Sequence, residues 1–304
     1  MDFVKIAEEL KASNVVSGKR YIGISPKTQE TYLSKLKTLE KRKLFDSDKK
    51  DLLEYLNGIE VPNTRIAYQT AIIGTAKHSP TFKKDIGNDL LNKIIDSQNE
   101  FIETQKPLRG TQIKTAYESE NWIDWKDLKK LTKDLVSPTQ ENMLIHLYTM
   151  IPPSRLDFHN LLIVHPDQQV KSQKQNYIHL LTKKKAKLVL QEYKTSQTYG
   201  ANEIDLPLKL VQFLNQYIEE HPDNVYLFEK QTNNHQPFAS PETFARYLKD
   251  VFFKLTKKNI SVDLLRHSFI TDFRSGDLSL KKKEKVAKQM GNSVETQEHY
   301  RRLD

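Results

Sequence analysis

Three short β-type runs stand alone in a chain otherwise patterned for helices, and that contrast limits the folds open to it. Residues 177–181, 187–193 and 203–206 are rich in β-branched, aromatic and Leu side chains. They are separated by Lys183-Lys184-Lys185 and by a stretch holding Tyr199-Gly200-Ala201. Runs and turns at this spacing predict a small antiparallel meander. Around it, apolar residues recur at helical intervals. In the first hundred residues, Ser25-Pro26 reads as an N-cap followed by Pro at the first helical position, ahead of Tyr32, Leu33, Leu36 and Leu39. Ser47 can cap a helix carrying Leu52, Leu53 and Leu56, and Asn63 one carrying Ile66, Ala67, Ala71, Ile72 and Ile73. Ser79-Pro80 interrupts. Leu90, Leu91, Ile94 and Ile95 mark a further helix, and Phe3, Ile6 and Leu10 mark one before Ser13.

This spacing predicts an all-α bundle over residues 1–104. A polar, basic linker follows over 105–120, including Lys106-Pro107-Leu108-Arg109-Gly110. Residues 121–304 are mixed, with helices over 124–135, 138–150, 208–220, 241–255, 262–273 and 280–290. Gly291 ends the last of these in the C′ position, and a short final helix can begin at Asn292. The fold class is therefore mainly α with one small antiparallel β-meander, in two domains. The length of 304 residues agrees, at roughly 150 residues per domain.

Composition narrows the function. Lys and Arg outnumber Asp and Glu by 48 to 39, an excess that suits a polyanionic partner, nucleic acid above all. A chain that is merely Lys-rich would show the same excess. There is no cysteine, which excludes disulfides, thiolate metal sites and a Cys nucleophile. No run of about 18 apolar residues exists, so no membrane-spanning helix is expected. The start, Met1-Asp2-Phe3-Val4-Lys5, does not read as a signal peptide.

Four separate segments carry candidate chemistry. Arg266 lies in the apolar stretch Leu264-Leu265-Arg266-His267-Ser268-Phe269-Ile270-Thr271, where an unpaired charge is costly. Upstream is Pro152-Pro153-Ser154-Arg155-Leu156-Asp157. Downstream is Met290-Gly291-Asn292-Ser293-Val294, followed by Tyr300, and Tyr193-Lys194-Thr195 lies among the β-type runs. Together these resemble the tyrosine recombinases of the phage-integrase type. That family's box His-x-x-Arg-His-Ser/Thr-Phe-x-Thr is matched from Arg266 through Thr271, with Asp263 where the His stands. The segment from Met290 to Tyr300 is similar to the family's Gly-His-Ser…Tyr segment. The double proline before Arg155 is similar to the recombinases of eukaryotic mobile elements and their viruses. The motifs cover about residues 122–304 and reach the N-terminal bundle only by architecture.

The resemblance implies a SAM-like helical core-binding domain followed by a catalytic domain. It implies a site-specific recombinase or integrase of a viral or mobile-element genome, acting on double-stranded DNA as a homo-tetramer on paired sites, with no metal or nucleotide cofactor. Arg155 and Arg266 would bind the non-bridging phosphate oxygens and offset the charge of the pentavalent state. Tyr300 would attack phosphorus and leave a 3′-phosphotyrosyl link. Lys194 would protonate the departing 5′-oxygen. Lys183, Lys184, Lys185, Lys281, Lys282 and Lys283 would contact DNA phosphates; as charge runs they equally suit a solvated face.

The sequence also departs from the family. Asp263 replaces the family's His, and either accepts the Tyr300 proton or caps and orients the Arg266 helix. Asn292 stands where His or Trp is usual, and either donates to phosphate or N-caps the last helix, with Glu295 completing a capping box. His267 is expected to pack and hydrogen-bond internally. Only Arg301, Arg302, Leu303 and Asp304 follow Tyr300, where the family commonly has a longer docking segment. Two other functions share this pattern: a type IB-like topoisomerase, and a DNA-binding protein that has lost catalysis through Asp263 and Asn292.

Overall fold

The computed structural model describes every residue except 14, 18–19, 23, 47–48, 111, 171, 173, 231–234 and 304. The chain divides into two units, Met1–Thr111 and Gln112–Asp304, each with its own apolar core.

In the first unit, helices α1 (Phe3–Ala12), α2 (Pro26–Lys41), α3 (Lys50–Asn57), α4 (Pro62–His78), α5 (Pro80–Ile86) and α6 (Asn88–Gly110) enclose a core that includes Ile6, Leu36, Leu52, Ile72, Phe82 and Ile94. The Ser25 hydroxyl accepts the Thr28 amide proton and starts α2, an arrangement that contributes about 1 kcal/mol. Ser79 does the same for α5 through the Phe82 amide. Ser79-Pro80 therefore begins a helix as well as interrupting one. α4 starts at Pro62, one residue before the expected cap Asn63, and takes no side-chain cap from Val61. Ser47 lies outside the described residues.

The unit is not purely helical. Strands β1 (Val15–Ser17) and β2 (Arg20–Ile22) pair antiparallel, with Val16 opposite Tyr21. Their β-branched and aromatic residues favour strand, but three residues are too few to display a period. The stretch 105–120, read as a linker, contains the end of α6 and all of α7 (Ala116–Asn121). The apolar spacing of α6 continues through Phe101 and Ile102. α7 is closed by a reciprocal capping box, in which Thr115 Oγ1 accepts from the Glu118 amide and Glu118 Oε2 from the Thr115 amide.

The second unit surrounds a helix buried on nearly every side. In α9 (Gln140–Met150) every residue from Met143 to Thr149 is buried. Around it lie α8 (Trp125–Asp134), a sheet of β3 (Leu162–Val164), β4 (Tyr177–Thr182), β5 (Lys185–Leu190) and β6 (Asn202–Asp205), and the short helix α10 (Ser196–Tyr199) between the last two strands. Helices α11 (Leu208–Glu220), α12 (Pro241–Thr256), α13 (Val262–Phe273), α14 (Leu280–Gln289) and α15 (Val294–Tyr300) complete it. The expected antiparallel meander is β4-β5-β6, with Ile178 opposite Leu188 and Leu188 opposite Ile204. A fourth strand, β3, adds to it in parallel through Ile163 opposite Ile178 and makes the sheet mixed. Its three residues were too short a run to register.

The strand ends also differ from expectation. Lys185 pairs with Thr182 and opens β5, so the β4–β5 turn is the two-residue Lys183-Lys184. β5 ends at Leu190, and Tyr193-Lys194 lie beyond it in the connection to β6. Among the described residues, no helix is long and apolar enough to cross a membrane.

Candidate active site

Ser261 starts α13 by accepting the Leu264 amide proton, and the helix turns Leu264, Leu265, Ser268 and Ile270 into the core. Arg266 falls on the same buried side and is 0% exposed. Its guanidinium is met by carbonyls, with Nη1 donating to Pro153 O at 2.7 Å and Nη2 to Met290 O at 3.4 Å, while Nε has no partner. No described carboxylate forms a salt bridge with it. A buried cation in that condition is expensive unless an anion joins it. Burial pulls the Arg266 pKa down from its ordinary value; Tyr300 opposes that, and neighbouring Arg155 reinforces it. Asp157 feels both guanidiniums, yet burial outweighs them and leaves its carboxyl above the usual range.

Arg155 arrives from the segment after α9. The buried Tyr148 hydroxyl donates to the Arg155 carbonyl at 2.7 Å and fixes the backbone there. The half-buried Arg155 guanidinium gives Nη2 to Asn292 Oδ1 at 3.0 Å and Nη1 to Gly291 O at 3.5 Å. Both arginines thus meet where α14 ends. The Asn292 amide donates to Ala287 O and the Gly291 amide to Lys288 O, a Schellman closure with Gly291 at φ +63°. Gly291 is the expected C′ residue. Further donors meet the carbonyls left by α14: Thr195 Oγ1 on Gly291 O at 2.9 Å, and Asn202 Nδ2 on Lys288 O and Gln289 O at 3.0 and 3.1 Å. A helix C-terminus carries partial negative charge, so cationic side chains gather there readily.

This closure corrects one reading of Asn292. It is not the cap of the last helix, because its side-chain oxygen accepts from Arg155 Nη2 and the cap position falls on Ser293. Ser293 caps α15 by accepting the Thr296 amide proton, and the helix begins at Val294. Asn292 is instead buried beside Arg155, with Nδ2 unpartnered. The Ser154 hydroxyl is buried and unpartnered too. Buried donors are seldom left orphaned. Arg266 Nε, Asn292 Nδ2 and Ser154 Oγ are thus three buried polar atoms without partners in the segments that carry or adjoin the two arginines.

Tyr300 is the last residue of α15 and is half-buried. Its ring centroid lies 4.9 Å from the Arg266 guanidinium carbon and 5.0 Å from the His267 ring. Asp263 is exposed in the first turn of α13 and lines an open depression with His267, His299 and Tyr300. The helix cap is Ser261, so Asp263 does not cap it. Lys194 is exposed in the β5–β6 connection. The residues on either side tie it to the same corner, because Thr195 bonds to Gly291 and the Tyr193 ring lies 3.1 Å from where a Gly291 Cβ would be.

The remaining candidates are not part of this cluster. Lys183 and Lys184 are exposed in the β4–β5 turn and Lys185 at the start of β5. Lys281 and Lys282 are exposed, and Lys283 half-buried, in the first turn of α14. None forms a salt bridge with a described residue. A roomier concavity, about 470 Å³ and lined by Gln140, Glu229 and Tyr247 among others, contains none of the candidate residues.

The Arg266 box is explained residue by residue. His267 Nδ1 donates to Tyr300 O at 2.7 Å, Ser268 Oγ to Ile123 O at 2.6 Å, and Thr271 Oγ1 accepts the Arg302 amide at 2.9 Å. His267 is bonded internally, as expected. Sequence reasoning did not find Tyr148, Thr195 or Asn202, whose roles consist of meeting distant carbonyls and leave no local pattern. Glu118 had a local signal, the Thr-x-x-Glu capping box.

Among solved structures, this chain is similar to XerA recombinase at 15% identity, over 99% of this chain and 93% of that one, with a TM-score of 0.42. It is also similar to the selenomethionine protelomerase TelA covalently complexed with substrate DNA, at 14% identity over 98% of this chain and 93% of that one, with a TM-score of 0.43. No protein-family model and no curated protein matches it. Neither structural likeness assigns a reaction to this chain.

Proposed function

We propose that this chain cleaves and rejoins DNA strands through a 3′-phosphotyrosyl intermediate on Tyr300. The observation that carries the reading is Arg266, wholly buried, without a salt-bridging carboxylate among the described residues, beside Arg155 and under the Tyr300 ring. In this reading the Arg155 and Arg266 guanidiniums, which meet at the end of α14, hold the non-bridging oxygens of one phosphodiester. Their positive charge counts for most where water is excluded. The Tyr300 phenol oxygen forms a bond to phosphorus as the bond from phosphorus to the 5′-oxygen breaks. The phenol proton passes to Asp263, the carboxylate that borders the same depression. Lys194 gives a proton to the departing 5′-oxygen. The phosphodiester energy is kept in the tyrosyl ester, so attack by a 5′-hydroxyl reverses the steps and reseals a strand. Integration of a viral or mobile-element genome by a tetramer on paired sites is the finer form of the proposal and rests on the motif resemblance.

The test uses nicked suicide duplexes made from the DNA that encodes and flanks this chain. The wild-type chain is expected to form a covalent protein–DNA adduct, and Tyr300→Phe to form none. An adduct that survives in Tyr300→Phe refutes the nucleophile. Duplex binding with no wild-type adduct identifies a binding protein, and relaxation of supercoils without exchange between two labelled duplexes identifies a topoisomerase.

A further inference from the structure

A tyrosine at the end of a seven-residue helix attacks one phosphorus atom productively only if that helix is held in place. We infer that Arg302, Glu118 and His267 form a latch that keeps Tyr300 against Arg266 of the same chain. The inference rests on the reading of Tyr300 as nucleophile.

Arg302 lies two residues after Tyr300, in a stretch where an arginine would ordinarily be solvated. Here its side chain is only 15% accessible. Its Nε and Nη2 donate to Glu118 Oε1 at 3.1 and 2.9 Å, and Nη2 also approaches His267 Nε2 at 3.1 Å. Nη1 closes the end of α15 by donating to His299 O and Arg301 O. Its backbone amide donates to Thr271 Oγ1. Every face of the guanidinium is therefore used, and the Glu118 contact is a charge-assisted one sheltered from solvent.

Glu118 is held by a contact independent of Arg302. Its other oxygen accepts the Thr115 amide at 2.8 Å in the capping box of α7. His267 relays the restraint onward. With its proton on Nδ1 it donates to the Tyr300 carbonyl, which leaves the Nε2 lone pair to accept from Arg302. Because His267 adjoins Arg266 on α13, the restraint acts between the nucleophile and the guanidinium it rests on. The Leu303 amide on Gln112 O, the Gln112 side chain on Glu298 O and the Arg274–Glu298 ion pair hold the same end of the chain.

The three are positioning residues, since their bonds run to the Tyr300 carbonyl, to one another and to the turn after α15 rather than to the Tyr300 phenol oxygen. Misplacing a reacting group by about 1 Å reduces rate by up to about 100-fold. The latch is tested with Arg302→Ala, the more conservative Glu118→Gln, and Arg302→Lys, which keeps the charge but lacks the fork. Single-turnover adduct formation on nicked duplex is expected to slow about 10- to 100-fold in the first two, with Arg302→Lys in between and DNA affinity unchanged. Amide hydrogen exchange over residues 294–303 is expected to quicken at least about tenfold while α9 and the sheet stay protected. Adduct rates within twofold of wild type, or unchanged exchange over 294–303, overturn the latch. If the wild-type chain gives no adduct, the proposed reaction fails instead, and the exchange measurement alone decides the latch. If Arg302→Ala or Glu118→Gln loses protection throughout the unit, the decision passes to Arg302→Lys, which keeps the charge and must still slow adduct formation and quicken exchange over 294–303 beyond wild type.

Discussion

A guanidinium buried as deeply as that of Arg266 ordinarily brings a carboxylate in with it, because desolvation alone costs several kcal/mol. Removing one member of a buried ion pair costs about 3–5 kcal/mol, whereas removing an unpaired charge forfeits only its hydrogen bonds. Arg266→Met should therefore lower stability by less than about 3 kcal/mol in urea unfolding while abolishing adduct formation. A larger loss of stability would make Arg266 a structural residue. His267 gives a pH dependence. Burial, as the largest cause, holds its pKa below the ordinary 6.5, with Arg302 adding to the effect and the Tyr300 carbonyl and Glu118 opposing it. The unfolded chain thus binds a proton at higher pH than the folded one. The resulting stability is complete above about 6.5 and is lost as pH falls from there toward the depressed folded value. His146 and His159 shift in the same direction, also mainly through burial. The thermal midpoint should fall as pH drops below about 6.5, and His267→Asn, whose amide can still donate to Tyr300 O, should flatten part of that slope. A midpoint with no slope in that window would remove the neutral His267 on which the latch depends.

Among the elements, the C-terminus of α14 gathers the site. Its Schellman closure turns Gly291 to φ +63° and presents carbonyls that Arg155, Arg266, Thr195 and Asn202 all meet. Gly291→Ala should cost about 1–2 kcal/mol for the left-handed backbone alone. Its methyl would also lie 3.1 Å from the Tyr193 ring and 3.3 Å from Thr195 Oγ1, displacing the turn that carries Lys194. The variant is expected to bind duplex normally and form adduct slowly, as read by single-turnover kinetics. Wild-type cleavage in Gly291→Ala would show that the Lys194 turn need not rest on α14. The strand β3, one of those that escaped sequence reading, belongs to the same scale. Three residues show no alternation of their own, and Leu162–Val164 become a strand through partners brought by folding, β4 on one side and the Val225–Leu227 segment on the other.

For the molecule as a whole, the excess of 48 Lys and Arg over 39 Asp and Glu leaves a net charge of +9, which the proposed duplex partner would meet with phosphate. Duplex affinity should fall steeply with salt, by about 0.9 in log K per phosphate neutralised for each tenfold rise in salt. Replacing Lys281, Lys282 and Lys283 together with Gln is expected to shallow that slope by about 0.9 for each contact they make. The same experiment applies to Lys183, Lys184 and Lys185. An unchanged slope in fluorescence-anisotropy titrations would assign that run to solvent.

The sequence alone determined most of the longer helices, because caps and apolar spacing act within a few residues; Ser25 and Gly291 announce where helices start and stop, whereas the short α5, α7 and α10 left no such reading. It also marked Arg155, Arg266 and Tyr300 as candidates through the company they keep in short motifs. Only the tertiary structure decided that Arg155 and Arg266 reach a common turn, that Asn292 faces Arg155 instead of capping a helix, and that Arg302 is clamped by Glu118 from 184 residues away. The reason is physical. A cap is satisfied by the chain's own next turn, whereas a buried charge or orphaned carbonyl is satisfied by whatever folding brings near, and no local pattern records which residue that is.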